Sequence, residues 1–205
     1  MGKPLFIVFE GIDGCGKSTQ LRLLADALAA RGRSVTTTAE PTDSTTGKML
    51  RAALSGADPR TPAEMAALFV LDRIHHNVAS DGIGATLAKG SDVISDRYYY
   101  SSLAYQGSLT DFEWVKQMNC ACPEIRKPDL CIFLDVSPKV ALARIGKRGE
   151  ATEIYEKEES LALFRDTFLR IFDTLGDRVA IVNAEGSENE VAARVLQAVT
   201  PLLAI

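Results

Sequence analysis

The feature that most constrains this chain is a glycine-rich turn set between an apolar run and a helical pattern. Leu5-Phe6-Ile7-Val8-Phe9 is continuously apolar, and Glu10 to Ser18 follows as Glu-Gly-Ile-Asp-Gly-Cys-Gly-Lys-Ser. Leu21, Leu24, Ala25 and Leu28 then recur at helical spacing. Strand, G-x-x-x-x-G-K-S and helix, in that order, make a phosphate-binding loop. Gly11, Gly14 and Gly16 let the backbone turn its N–H groups inward, where a side chain would obstruct phosphates. The helix starting near Lys17 adds its positive end. Lys17 supplies a point charge for the β- and γ-phosphates, and Ser18 a hydroxyl for Mg²⁺. The expected ATP-facing set is Gly11, Ile12, Asp13, Gly14, Cys15, Gly16, Lys17, Ser18 and Thr19. The competing reading, a strand-to-helix turn with a chance lysine, is disfavoured because strand, spacing and helix agree. The chain is expected to bind a nucleoside triphosphate.

That function needs a core to hold the loop, and the chain has the means. Its 205 residues suit one α/β domain, 1–205, and 46% hydrophobic with 24% charged residues is ordinary for a soluble protein. A net charge of −4 gives no basic field to draw it to nucleic acid or a membrane surface. No apolar run reaches spanning length, so a cytoplasmic protein is expected. Four cysteines fit that compartment as free thiols. Cys120-Ala-Cys122 has no second close pair to complete a metal site. His75 and His76 are adjacent, point to different faces and have no evident third ligand.

Strand and helix patterns alternate along the chain. Strands are expected at Leu5–Phe9, Ser34–Thr38, Asp92–Ser95, Leu130–Leu134 and Val179–Val182. Helices are expected at about Lys17–Arg31, Gly47–Leu54, Pro62–Asn77 with a second piece to Leu87, Tyr99–Gln106, Thr110–Asn119, Pro138–Ile145, Ile154–Leu175 and Asn189–Leu203. Five strands separated by helices imply a five-stranded parallel sheet with helices on both faces. Ligands then sit beyond the strand C-termini. That brings Glu10 to Ser18, Glu40-Pro41, Asp96-Arg97 and Asp135 to one edge.

A kinase also needs an acceptor pocket, and Asp96 to Gly107 is the candidate for it. Asp96, ending the third strand, can reach Mg²⁺ directly or through water, and Arg97 can neutralise a transferring or acceptor phosphate. Ser101, Tyr105 and Gln106 project from the next helix toward one rim, with groups suited to a base edge and a sugar. The bland alternative is a capped helix start with a structural salt bridge. Phe69 and Arg73, four residues apart, share a helix face that can stack a base and clamp a monophosphate. Taken alone, that pair reads better as a core phenylalanine and a solvated arginine. The basic run Arg144, Lys147, Arg148 suits a segment that closes over a nucleotide, or equally a solvated turn.

Together these residues resemble the thymidylate kinase family of P-loop nucleoside monophosphate kinases. The matching pieces are Phe9–Thr19 as FEGIDGCGKST, Glu40-Pro41, Phe69 with Arg73, Asp96–Gly107 as DRYYYSSLAYQG, and Pro128-Asp129-Leu130 followed by Leu134-Asp135-Val136. They span essentially the whole chain, and D-R-Y-x-x-S-x-x-A-Y-Q is the most specific. The Pro-Gly expected in an adenylate kinase phosphate loop is absent. The resemblance implies transfer of phosphate from MgATP to dTMP. It implies that Phe69 stacks on thymine, and that Arg73 binds the dTMP phosphate and a base carbonyl. Arg97 would bridge the two nucleotides' phosphates. Ser101 and Gln106 would contact the base, with Tyr105 under the deoxyribose, disfavouring a 2′-hydroxyl. Asp13 would hold the sugar hydroxyl or organise Mg²⁺, Glu40 would sit near phosphate and metal, and Arg51 would reach the acceptor phosphate. Arg144 would lie against adenine, and Arg148 would be the arginine of a closing segment at about 145–155. The implied metal contacts are Ser18 and Asp96, and the implied assembly is a homodimer packed through helices.

Two departures stand out. Where members often carry Gly-Gly-Thr after Glu-Pro, this chain has Thr42-Asp43-Ser44. Where some carry an arginine in the phosphate loop, it has Gly14, which moves the expected catalytic cation to Arg148 or Lys147. The expected mechanism needs no general base, because a monophosphate oxygen is already nucleophilic; alignment and charge stabilisation suffice. The rival readings are a kinase for another monophosphate or a deoxynucleoside, a P-loop switch, and a homologue without activity.

Overall fold

The computed structural model describes residues 2–146 and 158–203. In chain order its elements are β1 (Phe6–Glu10), α1 (Lys17–Ala29), β2 (Val35–Ala39), α2 (Thr45–Leu54), α3 (Pro62–Val78), α4 (Ile83–Ala88) and β3 (Asp92–Asp96). Then follow α5 (Tyr99–Tyr105), α6 (Phe112–Cys120), β4 (Leu130–Asp135), α7 (Pro138–Gly146), α8 (Glu158–Leu175), β5 (Val179–Asn183) and α9 (Glu188–Leu203). The strands form one parallel sheet in the order β2-β3-β1-β4-β5. Every residue of β1 is buried, although successive side chains point to opposite faces, so both faces are covered by helices. The order reverses at β1, which lies between β3 and β4. A crevice beyond the carboxyl ends is expected there.

Each strand runs one residue further than its apolar pattern suggests. Glu10, Ala39, Asp96, Asp135 and Asn183 still belong to the ladder, in registers such as Phe9↔Asp96, Glu10↔Phe133 and Asp135↔Asn183. Pairing is a backbone property, so a polar side chain at the sheet edge does not end it. Helix α1 stops at Ala29, short of Arg31, and Gly32 closes the turn at φ +79°. Helix α2 starts earlier than Gly47 because the Ser44 hydroxyl accepts the Gly47 N–H. Thr61 and Glu64 cap α3 reciprocally, with Pro62 at its first position. The expected helix start at Ile154, and the closing segment beyond Gly146, lie outside the described residues.

The core is partly aromatic. Phe133 packs on Phe168 and Phe172, Tyr100 on Phe172, and Phe6 edge-on to Tyr98. Below the sheet, Asp92 and Asp129 accept the Leu5 and Phe6 N–H groups at 2.8 Å each, fixing the entry to β1. These contacts hold β1 at the centre of the sheet, and with it the loop that β1 feeds.

Candidate functional site

The glycine-rich loop leaves β1 and enters α1 through Gly16, whose left-handed backbone starts the helix with no side-chain cap. The uncapped start leaves the helix's positive end to a ligand. Gly11 and Gly14 have φ of +142° and +78°. A Cβ on Gly11 would lie 2.9 Å from the Leu134 carbonyl oxygen, and one on Gly14 only 2.4 Å from that of Ala141 in α7. The reason for glycine at these two positions is therefore also packing against neighbouring backbone, not only room for phosphates. An arginine at position 14 does not fit with α7 so placed. Lys17 folds back on the loop, its Nζ donating to the Gly11 and Ile12 carbonyls at 2.9 and 3.2 Å. Its ammonium lies 3.9 Å from Asp13.

Ser18 donates to Asp96 Oδ2 at 2.9 Å, joining the loop to the end of β3 across 78 residues of sequence. A hydroxyl and a carboxylate oxygen at the start of a phosphate-loop helix are hard donors that suit Mg²⁺. Arg97 follows at φ +69°, a left-handed conformation that costs a bulky residue energy and needs surrounding support. That support is visible. The Arg97 N–H donates to Phe9 O at 2.9 Å, and Ser95 Oγ donates to Arg97 O at 2.8 Å. The guanidinium pairs with Asp13, donates to Ser101 Oγ at 3.1 Å and lies over the Tyr105 ring at 5.5 Å from its centre. Burial opposes its charge, but Asp13 foremost among its neighbours holds the pKa well above the ordinary arginine value.

Asp13, Glu40, Phe69, Arg73, Arg97, Ser101, Tyr105 and Gln106 line one pocket beside the phosphate loop. Phe69 is half-buried and faces that pocket, so it is not simply a core residue. The solvated-arginine reading of Arg73 fails, since the residue is 1% exposed. Its Nε and Nη2 donate to Glu40 Oε2 at 2.9 and 2.6 Å, and its Nη1 to Ser102 at 3.2 Å and to Asn119. Glu40 Oε1 meets His76 Nδ1 at 3.0 Å, and His76 Nε2 meets Thr38 Oγ1 at 2.7 Å. His76 is therefore part of the frame that holds the pocket arginine. Helix spacing revealed Phe69 and Arg73, but nothing local in the sequence signals the frame.

The segment after Glu40-Pro41 hangs on Asp72. Its carboxylate accepts from Thr42 N and Oγ1, Ser44 Oγ and Thr46 Oγ1. Burial alone would raise the Asp72 pKa, but these bonds lower it below the usual value. The departure Thr42-Asp43-Ser44 thus supplies its own hydroxyls as anchors. Arg51 donates to the Pro41 and Thr42 carbonyls at 2.7 and 2.8 Å and pairs with Asp43. It shares a second cleft with Lys17, Ser18, Glu40, Asp96 and Arg97, between the loop and the pocket.

On the other side of the loop, Arg144 donates to Cys15 O at 3.3 Å and Ala184 O at 2.9 Å. It lines a cleft with Thr19, Gln20 and the turn from Ala184 to Glu188 that links β5 to α9. The sequence reading did not include that turn; its position at the end of β5, on the ligand edge, was the available signal. It placed Glu10, the last residue of β1, at the ligand edge but gave it no role of its own. Glu10 is fully buried and accepts from Tyr98 N at 2.8 Å, Ser101 N at 3.0 Å and Ser101 Oγ at 2.7 Å. Burial pushes its pKa up to about 7 against the lowering pull of Arg97 and these bonds. Arg148 and Lys147 lie outside the described residues. No group of three or more metal-ligating His, Cys, Asp or Glu side chains occurs among the described residues, and no described helix is long and apolar enough to cross a membrane.

Comparison with known proteins adds lineage to this geometry. A family model described as Thymidylate kinase matches residues 9–195. A protein of Pyrococcus horikoshii named "Probable thymidylate kinase" is 40% identical over 193 residues, 91% of each chain. One of the same name from Methanobrevibacter smithii is 35% identical over 201 residues, 98% of this chain and 97% of its own. A Synechococcus protein named "Thymidylate kinase" is 37% identical over 205 residues, 97% of each chain.

Proposed function

The chain belongs to the thymidylate kinase family, and from that premise we propose that it transfers the γ-phosphate of ATP to dTMP, giving dTDP and ADP for dTTP synthesis. The observation that carries this reading is the pocket beside the phosphate loop. It combines an aromatic face, Phe69, two arginines and the hydroxyl and amide groups of Ser101, Tyr105 and Gln106. A pyrimidine stacks on the first, a monophosphate is neutralised by the second, and a base edge and sugar are met by the third.

The chemistry is positional. The loop from Gly11 to Thr19 cradles the donor phosphates with backbone N–H groups, and Lys17 leaves the loop carbonyls to meet the β- and γ-oxygens. Arg97, braced by Asp13 and Ser101, stands where the two phosphates approach. Arg73 holds the acceptor from a rigid frame, and Glu40 pairs with and orients that arginine rather than touching phosphate itself. Arg51 reaches toward the acceptor phosphate from the neighbouring cleft. Arg144 flanks the donor base, and Arg148 supplies a closing cation. Mg²⁺ fits the oxygen donors of Ser18 and Asp96, and when bound it neutralises charge on the donor phosphates. The acceptor oxygen attacks as an anion, so no protein base is needed.

We further read residues 1–205 as one kinase domain, supported by one contiguous cluster of buried side chains from β1, β3, β4, β5 and most helices, with the partly buried Val35 of β2 packed against it. A homodimer is supported by Leu71 and Val78, which are 51% and 56% exposed on one side of α3, with exposed Trp114 on α6, a helix in contact with α3. Four free cysteines and nucleotide substrates support a cytoplasmic location.

The test is coupled ADP release with MgATP and a panel of dTMP, dUMP, UMP, CMP, AMP and GMP. Turnover led by dTMP is expected. Turnover led by another monophosphate overturns the acceptor assignment, and ATP binding without acceptor-dependent turnover favours a switch.

A further inference from the structure

Glu10 reaches neither nucleotide cleft, yet its three hydrogen bonds all end on the segment that forms the acceptor pocket. One carboxylate oxygen takes the Tyr98 and Ser101 N–H groups, which pins the first turn of α5 just after the left-handed Arg97. The other takes the Ser101 hydroxyl hydrogen at 2.7 Å. The same Ser101 oxygen accepts from Arg97 Nη1 at 3.1 Å, and Ser101 lines the pocket.

We propose that Glu10 is a positioning residue for the acceptor site, whose ionisation sets whether the Ser101 hydroxyl meets the substrate as an acceptor or as a donor. This rests on the reading of that pocket as the monophosphate site. A hydroxyl offers one hydrogen and two lone pairs. With Glu10 ionised, the hydrogen goes to Glu10, one lone pair to Arg97, and the other remains for an N–H or O–H of the substrate. When Glu10 takes a proton from solvent, its O–H donates to Ser101. Both lone pairs are then used, and the Ser101 hydrogen turns to the pocket as a donor. Arg97 keeps its bond in both states, so substrate recognition changes polarity without loss of the arginine.

The surroundings allow both states near neutrality. Facing Glu10 are Arg97 from the β3–α5 turn, Tyr105 from α5 and Cys131 from β4, while Asp13 and Asp96 share the Arg97 charge. Burial raises the Tyr105 and Cys131 values, which keeps both neutral in this range. Burial likewise lifts Glu10 to about 7.

Glu10→Gln tests the idea, because a glutamine amide fits the same bonds and donates to Ser101 permanently. At pH 8 the variant should raise the dTMP KM about tenfold, the worth of one hydrogen bond, with the ATP KM unchanged. Wild-type kcat/KM for dTMP should show an ionisation near neutral pH that is absent in Glu10→Gln; the substrate phosphate's own titration remains in both. Ser101→Ala should also remove that ionisation, and adding Glu10→Gln to it should change the dTMP KM no further. Equal dTMP KM and pH profiles in wild type and Glu10→Gln would overturn the proposal. So would persistence in Ser101→Ala of the wild type's neutral ionisation beyond the substrate phosphate's own, which decides the matter even where Glu10→Gln does not fold. Absence of dTMP turnover in the wild type would instead strike the functional reading.

Discussion

Removing the Glu40 carboxylate isolates what the pocket frame contributes. Arg73 and Glu40 side chains are each 1% exposed and joined by two bonds of 2.9 and 2.6 Å. Glu40→Ala leaves a buried guanidinium with Ser102 and Asn119 as its remaining side-chain acceptors among the described residues. Breaking a buried pair from one side costs roughly 3–5 kcal/mol, most of it the stranded charge. Glu40→Gln is a gentler change. Its amide oxygen still accepts both Arg73 N–H groups, and its NH₂ donates to His76 Nδ1 while His76 Nε2–H turns to Thr38. Only charge assistance is lost, about 1–2 kcal/mol. Urea unfolding measures both: with m near 2 kcal/mol/M, Glu40→Ala should lower the midpoint by about 2 M and Glu40→Gln by under 1 M. Both variants should weaken dTMP more than ATP, because Arg73, the residue Glu40 holds, lines the acceptor pocket. A Glu40→Ala midpoint within about 0.3 M of wild type, or equal losses in the two variants, would refute the stranded-charge reasoning.

Other expectations follow from the same contacts. Glu10 binds its proton more tightly folded than unfolded, so between pH 4.5 and about 7 the folded state holds the extra proton and stability falls as pH rises; relative to Glu10→Gln, the wild type should lose about 3 kcal/mol across that window in denaturant titrations. Lys17→Ala should cut kcat by about two orders of magnitude or more, with an unchanged far-ultraviolet spectrum, because the charge aimed at the transferred phosphate is gone; near-normal turnover would remove Lys17 from the mechanism. Phe69→Ala should mainly raise the dTMP KM, by roughly tenfold for a lost stacking face, and cost less stability than a fully buried phenylalanine would; unfolding with an unchanged KM would make Phe69 a core residue after all.

What could be read in advance was whatever the chain writes locally. The strands and their order along the chain follow from apolar runs between helical patterns, and the glycine-rich loop carries its own spacing. Phe69 and Arg73 were visible because helix geometry puts residues four apart on one face. The strand ends were missed by one residue each, since the ladder continues through Glu10, Asp96, Asp135 and Asn183 after the apolar pattern stops. Those last residues matter most to the site, because the ligand edge of a parallel sheet is where its strands end. Glu10 illustrates the cost. In sequence it is a polar stop after Phe9, while in the fold it spans 91 residues to Ser101. His76, Ser102 and Asn119 likewise gain meaning only through Arg73, from three separate helices. Such partnerships are set by tertiary packing and leave no periodic trace.

The central claim is transfer of phosphate to dTMP, and label transfer tests it without a coupling enzyme. The protein would be incubated with γ-labelled ATP, Mg²⁺ and dTMP, and the nucleotides separated and counted. The account predicts label in dTDP, in proportion to ADP formed and absent with Lys17→Ala. Label appearing only as inorganic phosphate, at a rate indifferent to dTMP, would contradict it.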